Sequence, residues 1–150
     1  MTPGGFYSAQ IAEFPAVLRF GRTIFVHGGV TPIWAEYGID RINDEVGRWF
    51  AGEIDQPAPA LGRGPRNFDD NVMMNRHFSE DVGVEECAML NKSLQILGAE
   101  RMIVAHTVQE SITSYCNGAV WAIDVGMSRY YGGEVEVLEI INDEVVTVLR

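Results

Sequence analysis

The order of apolar and polar residues in the first half of the chain predicts a β-hairpin followed by a helix. Residues 17–20 and 23–27 are mostly apolar and flank Gly21-Arg22, a pattern typical of two strands joined by a two-residue turn. After Asp40, apolar residues recur at helical spacing, which predicts an amphipathic helix ending near Gly52. Residues 52–70 contain three prolines and three glycines and are predicted to form a loop.

The second half predicts a helix, two strands and a terminal hairpin. Apolar residues at helical spacing run from Val84 to Leu97, and Gly98 follows as a stop signal. Residues 101–105 and 119–125 are predicted strands, and residues 134–140 and 144–149 are predicted to pair around Asn142-Asp143. Helices alternating with strands in this order predict an α/β or α+β fold with a mixed sheet.

Composition narrows the class of protein. The 150 residues are 47% apolar, enough for one domain with its own core, and the net charge of −10 argues against a nucleic-acid partner. Neither a signal segment nor an apolar run long enough to span a bilayer is evident. Cys87 and Cys116 are far apart without a CxxC pattern, so we expect two reduced, mostly buried thiols and a reducing compartment. A single disulfide or a redox switch is the alternative.

Two histidines at the ends of predicted strands are the candidate chemistry. His27 follows Thr23-Ile24-Phe25-Val26 and precedes Gly28-Gly29, and His106 ends the run that starts at Arg101. Neutral imidazole binds Zn, Fe and Mn well, and a ligand at a strand end is held rigidly. A lone histidine on a strand is nevertheless usually structural, and two imidazoles are fewer ligands than a catalytic centre normally has.

Several collinear motifs resemble the Shewanella-like protein phosphatases, in the phosphoprotein-phosphatase branch of the calcineurin-like metallophosphoesterases. The resemblance covers nearly the whole chain. The matching segments are Pro3-Gly4-Gly5, Val26-His27-Gly28-Gly29, Tyr37-Gly38-Ile39, Arg41-Ile42-Asn43, part of Arg76-His77-Phe78-Ser79, Arg101 to His106-Thr107-Val108-Gln109, Ile123-Asp124-Val125-Gly126-Met127-Ser128, Gly132-Gly133 and Val137-Leu138-Glu139-Ile140.

The resemblance implies a metal-dependent phosphomonoester hydrolase that acts on phosphorylated protein side chains of the Ser/Thr type. His27 and His106 would ligate the same one of two divalent metals, Mn, Fe or Zn, which activate water and clamp the phosphate. Arg76 would hold phosphate oxygens, a task that suits the guanidinium fork, or it is a solvated loop residue. Asp124 would orient His106 or the loop, or simply form a strand-end turn. We expect His77 to be a surface histidine. A dinucleoside polyphosphate is an alternative substrate.

The chain also departs from the family pattern. Val108 cannot bind a metal, which favours the branch with one histidine at this point, while Ala105 and Ala122 replace an expected glycine and an expected basic residue. The motifs GDxH, GDxxDRG and GNHE, which supply the other metal ligands, are absent. Residues 1–150 are therefore interpreted as a single partial domain, the C-terminal half of the two-sheet sandwich with flanking helices.

This interpretation leaves two functions open. Either the chain is half of a phosphatase that is inactive alone, with the cofactor bound only in the intact site, or it is a non-catalytic subunit or interaction module, a pseudoenzyme that need hold no metal. In both cases we expect a partner, another chain or the missing N-terminal half, contacting His27, Trp34 and residues 126–133. The predicted location is the cytoplasm or an organelle interior such as a chloroplast or mitochondrion.

Overall fold

The computed structural model describes residues 3–62 and 70–150. Its main element is a five-stranded mixed sheet in the order β1-β2-β3-β5-β4. The hairpin β1–β2 forms one side, β2, β3 and β5 run parallel, and β4 is antiparallel to β5. The strands are β1 (Val17–Phe20), β2 (Thr23–Val26), β3 (Arg101–Val104), β4 (Thr113–Tyr115) and β5 (Val120–Ala122).

Four α-helices in the described residues accompany the sheet. They are α1 (Phe6–Ile11), α2 (Pro32–Tyr37), α3 (Ile39–Ala51) and α4 (Val84–Leu97). Three of them, α2, α3 and α4, contribute side chains to the core. Ile42 and Val46 of α3 and Leu90 and Leu94 of α4 join the buried side chains of the strands in one cluster. None of the helices in the described residues is long and apolar enough to cross a membrane.

The two faces of the five-stranded sheet differ in burial. Side chains alternate across a strand, so one register row belongs to one face. Val17, Ile24, Met102 and Val120 are fully buried in the core on the helix side. The opposite face carries another row of paired residues, Leu18, Phe25, Ile103, Trp121 and Ser114. Within this row Leu18 is exposed and only Ile103 is buried.

The terminal hairpin, β6 (Val137–Ile141) and β7 (Val145–Leu149), forms a separate two-stranded antiparallel sheet. Its turn is joined to the main sheet through Asp143. The Asp143 carboxylate accepts hydrogen bonds from the backbone N–H of Arg22 (2.5 Å) and the hydroxyl of Thr23 (3.0 Å). The backbone carbonyl of Asp143 accepts another from the Arg101 guanidinium (2.6 Å). One end of the hairpin is thereby fixed to the start of β2 and β3.

The predicted fold class and most predicted elements are confirmed. The hairpin β1–β2, helices α3 and α4, strand β3 and the terminal hairpin all form near their predicted positions. The predicted strand 119–125 is shorter, because only Val120–Ala122 pairs in the sheet. Helices α1 and α2 and strand β4 were not predicted. Part of the predicted loop, residues 63–69, lies outside the described residues.

The expectation of two reduced cysteines is wrong. Cys87 in the first turns of α4 and Cys116 directly after β4 form a disulfide, with Cα atoms 5.3 Å apart. Strand β4 reverses the chain and brings Cys116 back to α4, a contact that a separation of 29 residues does not reveal. The prediction of a reducing compartment therefore loses the cysteine argument on which it depended.

Candidate metal and phosphate site

The site begins where β2 and β3 end. These strands are parallel, so His27 and His106, which follow them, emerge at the same edge of the sheet. The backbone carbonyl of His27 accepts a hydrogen bond from the N–H of Ala105 (2.8 Å), which extends the strand pairing up to the two histidines. Neither position depends on a long mobile loop, so both imidazoles are held by the sheet.

Gly28 and Gly29 let a neighbouring loop pack directly behind His27. Both of their N–H groups donate to the carbonyl of Val72, at 2.9 and 3.1 Å. A Cβ on Gly28 would lie 2.8 Å from the carbonyl carbon of Met73, and one on Gly29 would lie 2.7 Å from Asn75 Oδ1. Gly28 is therefore required by the close approach of the Met73 backbone, and Gly29 by the Asn75 and Phe78 side chains packed against it.

The two imidazoles meet. His27 Nε2 lies 3.1 Å from His106 Nδ1, and the rings are inclined at 61° with centroids 5.0 Å apart. His106 reaches this position with a left-handed backbone, φ 59°, which is uncommon outside glycine and asparagine. Two nitrogens that each bond one ion at about 2.0–2.1 Å lie about 2.8–3.0 Å apart at an octahedral centre and about 3.3–3.4 Å apart at a tetrahedral one, so the observed separation falls within the range for shared ligation.

The surroundings of His106 favour its neutral form. Burial lowers the pKa of His106, the nearby Arg76 guanidinium and His27 ring lower it further, and Asp124 acts in the opposite direction. Its second ring nitrogen, Nε2, is buried without a hydrogen-bond partner in the described structure. A neutral imidazole offers a free lone pair, and this is the form that binds metals.

Arg76 lies next to the histidine pair. Its guanidinium donates to the hydroxyl of Thr107 (2.8 Å) and, at 3.4 Å, to the backbone carbonyl of His106. Glu80 is a further neighbour, with a carboxylate oxygen 3.8 Å from Arg76 Nε. The arginine side chain is 45% exposed, so its fork is accessible to an anion approaching the histidines. His77, in contrast, contacts the Asp70 carboxylate (3.3 Å).

A hydrogen-bond network that the sequence did not predict connects the loops around the site. The Gln109 amide donates to the carbonyls of Ser79 (3.0 Å) and Thr107 (3.1 Å), and its oxygen accepts from the Tyr115 hydroxyl (3.0 Å). The Ser79 hydroxyl in turn donates to Thr107 Oγ1 (2.8 Å). The run His106-Thr107-Val108-Gln109 stood out in the sequence, but nothing in it revealed that Gln109 joins three segments.

Asp124 contacts a turn rather than a histidine. Its side chain accepts a hydrogen bond from the N–H of Gly126 (3.0 Å), and its carbonyl accepts one from the N–H of Gln109 (2.7 Å). Among the described residues its effect on His106 is electrostatic only. The turn-forming role is the one that its hydrogen bonds support.

Two histidines alone do not make a complete metal site. Within residues 3–62 and 70–150, no group of three or more histidine, cysteine, aspartate or glutamate side chains could hold an ion. A stable catalytic metal normally has at least three protein ligands. The two imidazoles are suitable metal ligands, but they are fewer than such a metal normally has.

Comparison with known proteins agrees with the motifs. Shewanella-like protein phosphatase 2 of Arabidopsis thaliana is 40% identical over 134 residues, covering 86% of this chain and 33% of that protein. Shewanella-like protein phosphatase 1 of Plasmodium berghei is 27% identical and is matched over 100% of this chain and 43% of its own length. The chain thus spans between a third and a half of these relatives. No family model matches it.

A solved structure shares the fold. The cold-active protein-tyrosine phosphatase of a psychrophilic Shewanella species matches 93% of this chain and 44% of its own, with a TM-score of 0.67 and 18% identity. At that identity the likeness concerns the fold alone. Over most of its length, therefore, this chain is similar to one part of the Shewanella-like protein phosphatases, and the resemblance inferred from its motifs is confirmed.

Proposed function

We propose that this chain is the C-terminal half of a calcineurin-like metallophosphoesterase domain and supplies part of a metal-dependent phosphomonoesterase site. The observation that carries the proposal is the 3.1 Å separation of His27 Nε2 and His106 Nδ1 at the ends of two parallel strands. A divalent ion, Mn, Fe or Zn, bound there would polarise a phosphoryl oxygen and lower the pKa of bound water. Residues outside this chain would complete its ligand set.

Arg76 would bind the phosphate in this proposal. Its guanidinium is exposed and sits beside the histidines, where Thr107 and the His106 carbonyl orient it. Bidentate hydrogen bonds from guanidinium to phosphate would hold a phosphorylated side chain near the metal. Phosphorylated protein residues are the substrate class proposed, since the similar proteins are named protein phosphatases.

A metal titration of the chain tests the histidine pair. We expect Zn²⁺ binding, followed by calorimetry, to weaken by roughly tenfold or more in His27→Ala and in His106→Ala, because each loses one of two ligands. His77→Ala is the matched control, since it removes the third histidine, which faces Asp70. Equal binding by His27→Ala and the unsubstituted chain would contradict the proposal.

The same proposal predicts that the isolated chain has no phosphatase activity. A two-metal mechanism requires both ions and the ligands between them, whereas the described part of the chain offers two histidine ligands for one ion. In a p-nitrophenyl phosphate assay with added Mn²⁺ we expect no appreciable turnover by this chain. Turnover that His106→Ala abolishes would mean that the chain needs no other half.

A non-catalytic phosphatase-like subunit is the second candidate, and the small number of ligands among the described residues favours it. It would use the same fold to bind a partner within an assembly. The two candidates differ once the complementary polypeptide is supplied: the first then gains metal-dependent phosphatase activity that requires His27, and the second does not.

A further inference from the structure

The side-chain amide of Gln109 uses all of its hydrogen-bonding groups. Its nitrogen donates to the backbone carbonyls of Ser79 (3.0 Å) and Thr107 (3.1 Å), and its oxygen accepts from the Tyr115 hydroxyl (3.0 Å). Because a backbone carbonyl only accepts hydrogen bonds, the nitrogen of the amide has to face the two carbonyls. An ionised carboxylate has no proton to donate, so the position calls for an amide. Gln109 is half-buried, which partly shields these bonds from water.

The two carbonyls belong to the two turns that carry the candidate site. Ser79 lies in the turn that begins at Arg76, where the N–H groups of Ser79 and Glu80 both donate to the Arg76 carbonyl at 3.0 Å. Thr107 directly follows His106, and its hydroxyl accepts a hydrogen bond from the Arg76 guanidinium (2.8 Å). Gln109 therefore bridges the backbone of the arginine turn, residues 76–80, and the backbone of the histidine turn, residues 105–107.

The histidine turn has a backbone that needs such support. His106 has a left-handed backbone, φ 59°, and the N–H of Thr107 donates across it to the carbonyl of Ala105 (2.6 Å). A residue other than glycine keeps this sparsely populated conformation where surrounding contacts fix it. Gln109 supplies one such contact at the Thr107 carbonyl, and Arg76 supplies a longer one at the His106 carbonyl (3.4 Å).

Gln109 is itself anchored to the five-stranded sheet. Its backbone N–H donates to the carbonyl of Asp124 (2.7 Å), two residues beyond the end of β5. Tyr115, which bonds its side chain, is the last residue of β4 and pairs with Val120 of β5. Both anchors lie on neighbouring strands of the sheet that also positions His27, so the amide is held at a defined place relative to the histidine pair.

We propose that Gln109 is a positioning residue that sets the spacing between Arg76 and His106, so that a phosphate bound by the arginine lies next to a metal bound by the histidines. The inference rests on the proposed function. Gln109 contacts neither ligand in this arrangement and acts through the carbonyls of Ser79 and Thr107. Loss of its amide should therefore weaken the binding of both ligands, whereas a residue that only supports the fold would change stability alone.

Three variants and two separate probes test the inference. Gln109→Met keeps the length of the side chain and removes all three bonds, and Tyr115→Phe removes only the bond to the amide oxygen. Gln95→Met is the matched control, because it makes the same change at an exposed position of α4. Zn²⁺ binding is measured by calorimetry. Inorganic phosphate is titrated without Zn²⁺ and followed by the NMR signal of the Arg76 Nε–H group, and urea unfolding gives the stability of each variant.

We expect Gln109→Met to bind Zn²⁺ about tenfold more weakly, the low end of the effect of removing groups that orient metal ligands. Phosphate binding at Arg76 should weaken by roughly threefold or more, because the guanidinium loses its fixed orientation. Tyr115→Phe should weaken both affinities by smaller factors, since Gln109 keeps its two donated bonds. Gln95→Met should bind both probes as the unsubstituted chain does.

The His27→Ala variant, measured in the same series, separates this inference from the proposed function. Unchanged affinities in Gln109→Met, while His27→Ala loses Zn²⁺, would overturn the inference and leave the proposed function standing. A lower urea midpoint with unchanged affinities would also overturn it, and so would the loss of one affinity alone, because the spacing between the two turns would then not depend on Gln109. If Gln109→Met does not fold, Tyr115→Phe decides by the same criteria. Equal Zn²⁺ binding by His27→Ala and the unsubstituted chain would overturn both.

Discussion

Removing the disulfide should lower the free energy of unfolding by an amount that depends on the length of the loop it closes. Cys87 and Cys116 enclose a loop with a separation of 29 residues and join α4 to the chain reversal after β4. The entropy lost by the unfolded chain on closing such a loop corresponds to about 3–4 kcal/mol at 25 °C. A domain of this size is normally stable by only about 5–15 kcal/mol, so this single bond is a large share of its stability.

The double substitution Cys87→Ser and Cys116→Ser measures this contribution by urea unfolding, followed by circular dichroism. We expect the free energy of unfolding to fall by about 3–4 kcal/mol and the slope m to rise, because the unfolded chain without the crosslink exposes more surface. Cys87→Ser alone is the control and should lose the same amount, since either change breaks the bond. A loss below about 1 kcal/mol, or free thiols detected in the oxidised protein, would refute the reasoning.

Three further substitutions or conditions test the packing. Gly28→Ala should lower the free energy of unfolding by about 1–3 kcal/mol in urea, because its Cβ would meet the backbone of Met73, whereas Gly62→Ala, where the nearest atom is 3.7 Å away, should change little. The Asn43 side-chain amide accepts a hydrogen bond from the N–H of buried Val17 and donates one to its carbonyl. Asn43→Ala should therefore lower the free energy of unfolding by about 1–3 kcal/mol for each group left unpaired. An unchanged urea midpoint would contradict this. Hydrogen bonds from the Arg22 backbone and the Thr23 hydroxyl lower the pKa of Asp143. The contribution of Asp143 to the free energy of unfolding should therefore be complete above the ordinary carboxylate pKa and should disappear as the pH falls through the lowered pKa. Urea midpoints between pH 2 and pH 7 should therefore depend less on pH in Asp143→Asn, and identical profiles would contradict the role of this carboxylate.

The sequence predicted those parts of the fold that local patterns determine. The spacing of Ile42 and Val46 predicted α3, and Gly52, which takes a left-handed backbone at its end, predicted where it stops. The meeting of His27 and His106 was also predictable, because each follows a strand and parallel strands end at one edge of a sheet.

Other features depend on tertiary contacts that no local pattern encodes. Strand β4 has three residues, too few for a recognisable alternation, and pairs only because β5 lies beside it. Since β4 was missed, so were the return of Cys116 to α4 and the hydrogen bond from Tyr115 to Gln109. Helix α2 did have a local signal, Thr31 followed by Pro32 at its first position, which is a typical helix start.

The most direct test of the central proposal is a crystal structure of the chain soaked with Zn²⁺, with the ion located by anomalous scattering. The proposal predicts one ion bonded to both His27 Nε2 and His106 Nδ1 at about 2.0–2.1 Å, with its remaining positions open to solvent. An ion bound elsewhere while the two nitrogens keep a hydrogen bond between them at 3.1 Å would contradict it.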